Sequence, residues 1–199
     1  MMLPTHALVG LAIATPLLVL APEHAAGALA GALLGSILPD LDMYAGHRRT
    51  LHYPTGYAVG SVPVLIAAGY VRTPLIVGLA FVFVGAALHC RMDRYGGGLE
   101  LRPWEATSDR AVYDHVRGRW RTPKRWIRYD GAPEDVLLAV LVGVPLVVVL
   151  ESPFRWVCVG ALAVGVTYGL LRRRLAALVP VVIARVPEVI ATHVPERYR

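Results

Sequence analysis

Six blocks of apolar sequence, each close to the length that crosses a bilayer, fill most of this chain and decide what it can fold into. They run roughly over 7–21, 25–38, 56–70, 73–90, 135–150 and 154–171. Backbone polar groups inside lipid must satisfy one another within the segment, so such blocks become helices. At 1.5 Å per residue a block of about 15 residues covers about 22 Å, short of the roughly 30 Å hydrocarbon core. The first two blocks are therefore expected to pair tightly and thin the bilayer locally. The expected fold is all-α, a polytopic transmembrane helix bundle of four to six spans. With 56% hydrophobic and 17% charged residues, the composition excludes an ordinary soluble domain. The first block lacks a basic n-region and an Ala-x-Ala site, so it reads as a retained helix. Cys90 and Cys158 lie in apolar blocks and read as buried thiols, with no disulfide framework.

Basic residues set the expected orientation. If all six blocks span, segments 40–55, 91–133 and 172–199 share a face with the N-terminus and hold 18 of the 20 Lys and Arg. Only Arg72 and Arg155 fall on the other face, which predicts a multi-pass protein of the cell membrane with both termini and all long loops cytoplasmic. The domain division expected is 1–171 as one transmembrane unit, with the loop 91–133 inserted, and 172–199 as a basic amphipathic tail. Pro180 and Pro187 interrupt that tail, which favours an interfacial segment over a seventh span. The loop 91–133 carries ten Lys/Arg, six Asp/Glu and Trp104, Trp120 and Trp126. Interleaved Trp and Arg suit the lipid headgroup layer, and membrane pinning makes nucleic acid an unexpected partner. In the second block Gly27, Gly31 and Gly35 form a small-residue stripe, whose expected partner is the first helix.

Placing the ionisable residues on this topology produces the central expectation. His6 begins the first helix, Asp40 and Asp42 end the second, His47 and His52 follow in the loop, and His89 with Asp93 ends the fourth. Seven residues spread over 87 positions thus meet at one face. Ionisable groups at membrane depth are costly and are kept where they satisfy one another in a site. His89 and Asp93, four apart, share one helical face. Imidazole and carboxylate without thiolate match a divalent metal, zinc first, with manganese or iron as harder alternatives. Taken singly, each has a plainer reading: a helix-start residue for His6, a turn cap for the two Asp, a solvated loop for His47 and His52, and a structural pair for His89 and Asp93. His24, His115 and His193 lie away from the cluster and read as structural.

At these residues the chain resembles the YdjM-like family of membrane-bound, metal-dependent hydrolases. The shared features are Thr5-His6 followed by Gly10, Leu38-Pro39-Asp40-Leu41-Asp42 ending a Gly-rich helix, His47-Arg48 through His52, and His89 with Asp93 before a Gly-containing turn and Pro103. They cover about the first 105 residues. Arg49 and Tyr53 stand where the family pattern has Gly and Ser; the spacing of five between the two His is kept. The resemblance implies a hydrolase with a metal site.

The expected function is accordingly a metal-dependent hydrolase working at the cytoplasmic membrane surface on a small-molecule or lipid phosphoester. His6, Asp40, Asp42, His52, His89 and Asp93 are the expected metal ligands. Asp42, His47 and Arg48 are the expected catalytic residues, with a carboxylate as general base and Arg48 and Arg49 holding an anionic group. Two rivals come from other classes. A transporter would relay metal or protons through the same residues, although no ionisable residue lies midway through a span. A non-catalytic scaffold would instead depend on the arginines of 91–133.

Overall fold

Proline fixes where most of the helices start. In a computed structural model describing residues 1–187, 189 and 194, Pro occupies the first or second position of α1 (Leu3–Ala14), α3 (Pro22–Ile37), α4 (Pro54–Val71), α5 (Pro74–Tyr95) and α6 (Pro133–Val149). The first turn has no intrahelical acceptor for its N–H groups, so the missing donor costs nothing there and the fixed φ favours the helix. Thr73 adds a side-chain cap on the Ile76 amide of α5. Pro16 divides the first apolar block into α1 and the single turn α2 (Leu17–Leu20). The last helix is α7 (Phe154–Ile183).

The result is an all-α, multi-span membrane helix bundle. Five stretches among the described residues are long and apolar enough to cross a membrane: Leu3–Leu20, Pro22–Asp42, Pro54–Val71, Pro74–Tyr95 and Phe154–Ile183. The remaining apolar block, the fifth in the chain, is α6, at 17 residues. Cys90 and Cys158 are buried free thiols. His193 lies outside the described residues.

Glycine decides how closely the central helices meet. A Cβ built on Gly27, Gly31 or Gly35 would lie 2.5, 2.0 or 2.1 Å from the carbonyl oxygen of Pro74, Gly78 or Val82. The stripe therefore faces α5 and not the first helix, correcting the expectation. The physical reason is that α5 brings its own small residues to the contact: a Cβ on Gly85 would meet the Ala32 carbonyl at 2.6 Å. The first helix uses another face of α3, where Gly10 admits Ser36. Backbone thus lies on backbone along α3 and α5, the geometry that small residues permit in lipid.

Two features lay beyond the sequence reading. Within the loop after α5, strands β1 (Val112–Asp114) and β2 (Arg119–Arg121) form an antiparallel hairpin, pairing Val112 with Arg121 and Asp114 with Arg119. Asp114 accepts from the Val116 and Arg117 amides in the turn and from Arg121 at 2.9 and 2.6 Å. Burial favours its protonated form, but Arg121 and these donors outweigh it and hold the carboxyl below its usual range. The other feature is the length of α7, which continues through Arg172-Arg173-Arg174 to Ile183, so the start of the expected tail is helix continuous with the last span. Thirty residues make about 45 Å of helix, well beyond the roughly 30 Å of hydrocarbon. Arg172 anchors it to the loop, binding Asp130 through two nitrogens at 2.9 and 3.1 Å and the Leu101 carbonyl at 3.1 Å.

Candidate metal centre

All seven residues singled out in the sequence meet at one end of the bundle. Pro39 tightens the end of α3 into a 3-10 turn, Leu38–Asp42, from which Asp40 and Asp42 project. The chain then reverses through Gly46 at φ +91° and Arg48 at φ +61°, which brings His47 and His52 back over the carboxylates. A left-handed arginine is unfavourable by about 1 kcal/mol or more unless its surroundings over-determine it. Here the Arg48 amide donates to Asp42 Oδ1 at 3.3 Å, its guanidinium donates to the Gly97 carbonyl at 2.9 Å, and its own carbonyl accepts from the Tyr113 amide at 2.9 Å. The hairpin therefore clamps the site loop.

The inner face of the cluster holds Asp40, His52, His89 and Asp93, whose donor atoms all lie within 4.8 Å of one another. His52 Nε2 is 3.2 Å from Asp93 Oδ2 and 3.6 Å from Asp40 Oδ1. His89 Nε2 is 3.3 Å from Asp40 Oδ1 and 3.4 Å from Asp93 Oδ2. His52, His89 and Asp93 are almost fully buried, whereas Asp40 keeps a side exposed.

Each imidazole is oriented from behind. His89 Nδ1 lies 2.7 Å from the Ser36 carbonyl oxygen. A carbonyl only accepts, so Nδ1 carries a proton and the ring turns Nε2 inward, toward Asp40 and Asp93. His52 Nδ1 lies 2.9 Å from Asp42 Oδ2, giving the carboxylate–histidine arrangement that fixes metal-ligating imidazoles. Asp42 is fully occupied: it also accepts from the Leu51 amide at 3.0 Å and lies 3.1 Å from His47 Nδ1. Burial pulls the His52 pKa down, but Asp42 and Asp93 outweigh it and raise it above the ordinary value.

Asp93 is the hub. Its Oδ1 faces away from the inner donors, toward His6 Nε2 at 3.2 Å, Arg48 Nη2 at 3.3 Å and the Met1 ammonium at 3.1 Å. His6 stacks on His89 with ring centroids 3.8 Å apart. His47 is the most open of the four histidines, 3.9 Å from Asp40 Oδ1. His89 Nε2 has no hydrogen-bond partner among the described residues although it is buried among carboxylate oxygens. A largely buried set of two imidazoles and two carboxylates, with donor atoms converging within 4.8 Å, fits a divalent cation.

Several supporting residues were not legible in the sequence. The Ser36 main-chain carbonyl has no side-chain signature at all. Asp135, fully buried at the start of α6, accepts from Thr5 Oγ1 at 2.7 Å, the Met2 amide at 2.7 Å and the Gly131 amide at 3.1 Å, and so fixes the turn that carries His6. A carboxylate in the first turn of an apolar helix was the available signal. Away from the cluster, His115 Nε2 contacts the Arg49 carbonyl at 2.7 Å and the ring stacks on Tyr53, while His24 lies 3.6 Å from Glu23.

The fold and site together define a polytopic membrane protein with a His/Asp cluster able to hold a metal at one end of its helices. Residues 1–178 match the model of the YdjM inner membrane protein family, and the chain belongs to that family. No curated protein and no solved structure matches it.

Proposed function

We propose that this protein is a metal-dependent hydrolase that cleaves a phosphoester, such as that of a lipid headgroup, at the cytoplasmic face of the membrane. The observation that carries the reading is the convergence of Asp40, His52, His89 and Asp93 within 4.8 Å, with both imidazoles oriented from behind. A divalent ion held by these four supplies Lewis acidity, activating water and stabilising charge on the phosphoryl group. Zinc suits the ligand set, with manganese or iron as alternatives.

The remaining roles belong to the chain. Asp42 positions His52, and His6 and Arg48 position Asp93. His47, part open and hydrogen-bonded to Asp42, lies where it can accept the proton of an attacking water and return it to the leaving alcohol. Water oxygen bonds to phosphorus, the ester P–O bond breaks, and the departing oxygen leaves as the alcohol. Arg48 is committed to Asp93 and to the Gly97 carbonyl, so Arg49, which lines the neighbouring cleft, is a cation available for an anionic group. The asymmetry of basic residues supports the cytoplasmic placement.

The test is metal content followed by turnover. Purified protein in gentle detergent is expected to hold stoichiometric transition metal, to lose it in Asp40→Ala and His89→Ala without unfolding, and to release alcohol from phosphoester lipids only when loaded. Metal-free protein that takes up none of several ions tightly would end the proposal.

A further inference from the structure

The cluster borders two clefts, one strongly apolar and one with more polar residues in its wall. One, of about 970 Å³, runs along α7 toward the far end of the bundle; its walls include Leu33 and Ile37 of α3 and Val157, Ala161 and Val164 of α7, and it reaches Asp40, His47 and Arg48. Its volume is at the upper end of ligand sites, about 300–1,000 Å³. The α7 positions recur every three or four residues as far as Val179, so one helical face lines the cleft for most of the helix's length. The other cleft, of about 770 Å³, is mixed, with Arg49, Ser108 and Arg110 in its wall. The two share Met43, His47, Leu99 and Glu100.

Glu100 is the unexplained group at this junction. Both its carboxylate oxygens are buried, and neither has a hydrogen-bond partner among the described residues. A buried polar group without a partner is unfavourable and is relieved when a donor arrives. An apolar groove, a phosphoester-sized cluster and an acceptor lacking a donor thus follow one another in space.

We propose that the paired clefts bind one membrane phospholipid, its hydrocarbon chain along α7, its phosphoester beside Asp40 and His47, and a headgroup ammonium or hydroxyl donating to Glu100. The placement of the phosphoester rests on the hydrolase reading; the chain and headgroup contacts do not.

The probe is a lysophosphatidylethanolamine with a diazirine on its acyl chain, photolysed with the full chain in nonionic detergent, with and without metal. Adducts are expected on α7 between Val157 and Tyr168. A Cβ at Gly160 meets nothing within 4 Å, so Gly160→Phe fills the groove without a backbone clash. It should cut labelling at least tenfold while metal content and unfolding temperature stay at wild-type values, and Val164→Trp should do the same. As competitors, lysophosphatidylethanolamine and lysophosphatidylglycerol separate the ammonium from the hydroxyl. A lysophosphatidic acid methyl ester, which has no headgroup donor, should compete about tenfold less well, and Glu100→Leu should erase that difference. Free phosphoethanolamine should not compete, because it lacks the chain. Labelling that ignores both groove-filling variants, adducts elsewhere, or adducts between two protein copies would overturn the proposal. Groove labelling in a protein that never takes up metal would sink the hydrolase reading alone.

Discussion

Replacing Gly35 with alanine tests whether helix spacing in the membrane is what assembles the metal centre. The new Cβ would lie 2.1 Å from the Val82 carbonyl oxygen, where ordinary contact begins at roughly 3.4 Å. Relief requires α3 and α5 to part locally by about 1.3 Å, since both atoms belong to stiff helices. Ser36 is the next residue, and its carbonyl lies 2.7 Å from His89 Nδ1. The same displacement stretches that bond to about 4 Å, past the limit at which it orients the ring. Loss of such an orienting partner costs about 10–100-fold in metal affinity, which corresponds to roughly 1.4–2.7 kcal/mol. Overpacking should also destabilise the fold by about 1–3 kcal/mol. The assay is competition with a chromophoric chelator in detergent, alongside thermal unfolding. Gly160→Ala, another glycine-to-alanine change in a span, meets open space and should leave metal affinity unchanged. An unaltered dissociation constant in Gly35→Ala would refute the idea that the α3–α5 contact aims His89.

Asp42→Ala should weaken metal binding 10–100-fold by releasing His52 and His47 together, and the affinity should recover less in Asp42→Asn than in Asp42→Glu; chelator competition reads both. Asp130→Asn should cost roughly 2 kcal/mol by breaking its two bonds to Arg172. Burial favours protonated Asp130, but Arg172 and Tyr168 outweigh it and hold the carboxyl below its ordinary value. That contribution is therefore complete above about pH 4 and is lost as pH falls through the lowered value. The wild-type unfolding temperature should fall more steeply below pH 4 than that of Asp130→Asn. For sidedness, Cys90 and Cys158 are buried and silent, so Tyr44→Cys at the site end and Tyr70→Cys at the other report cleanly. In intact cells an impermeant maleimide should label Tyr70→Cys, and Tyr44→Cys only after permeabilisation; the reverse pattern would invert the orientation.

What was legible in the sequence follows from which forces are local. The apolar blocks and the Pro residues that open them fix the helices, because hydropathy and backbone chemistry act within a segment. His6, Asp40, Asp42, His47, His52, His89 and Asp93 could be brought together on paper, because spans of near-equal length leave few places for ionisable groups. The partner of the glycine stripe could not. Gly27, Gly31 and Gly35 state only that something approaches closely; that α5 is the partner depends on Gly78 and Gly85 lying in register on another helix. The hairpin at 112–121 escaped because three-residue strands have almost no periodicity and gain stability from tertiary ties such as Tyr113 to Arg48. The continuation of α7 past Arg172 escaped because a run of arginines reads as the edge of the membrane, although Trp104 and Asp130 receive those charges within the protein.

The division of labour among the carboxylates follows from the same geometry. Asp40 and Asp42 are two residues apart in one 3-10 turn, yet they do different work because their surroundings differ. Asp42 faces the loop, where amides and two imidazoles consume its lone pairs, so it acts by orientation. Asp40 faces the cavity, retains exposed surface, and lies between the buried donors and the clefts. Asp93 spends one oxygen on cations and keeps the other for the inner face. Three carboxylates and four imidazoles this close tolerate one another because Arg48, the Met1 ammonium and the imidazoles themselves offset the negative charge, and the same set can accommodate a cation. Removing Asp40 should therefore affect ligand exchange and substrate access as well as affinity, whereas removing Asp42 should act through the aim of His52 and His47. Their different positions relative to the clefts are the reason.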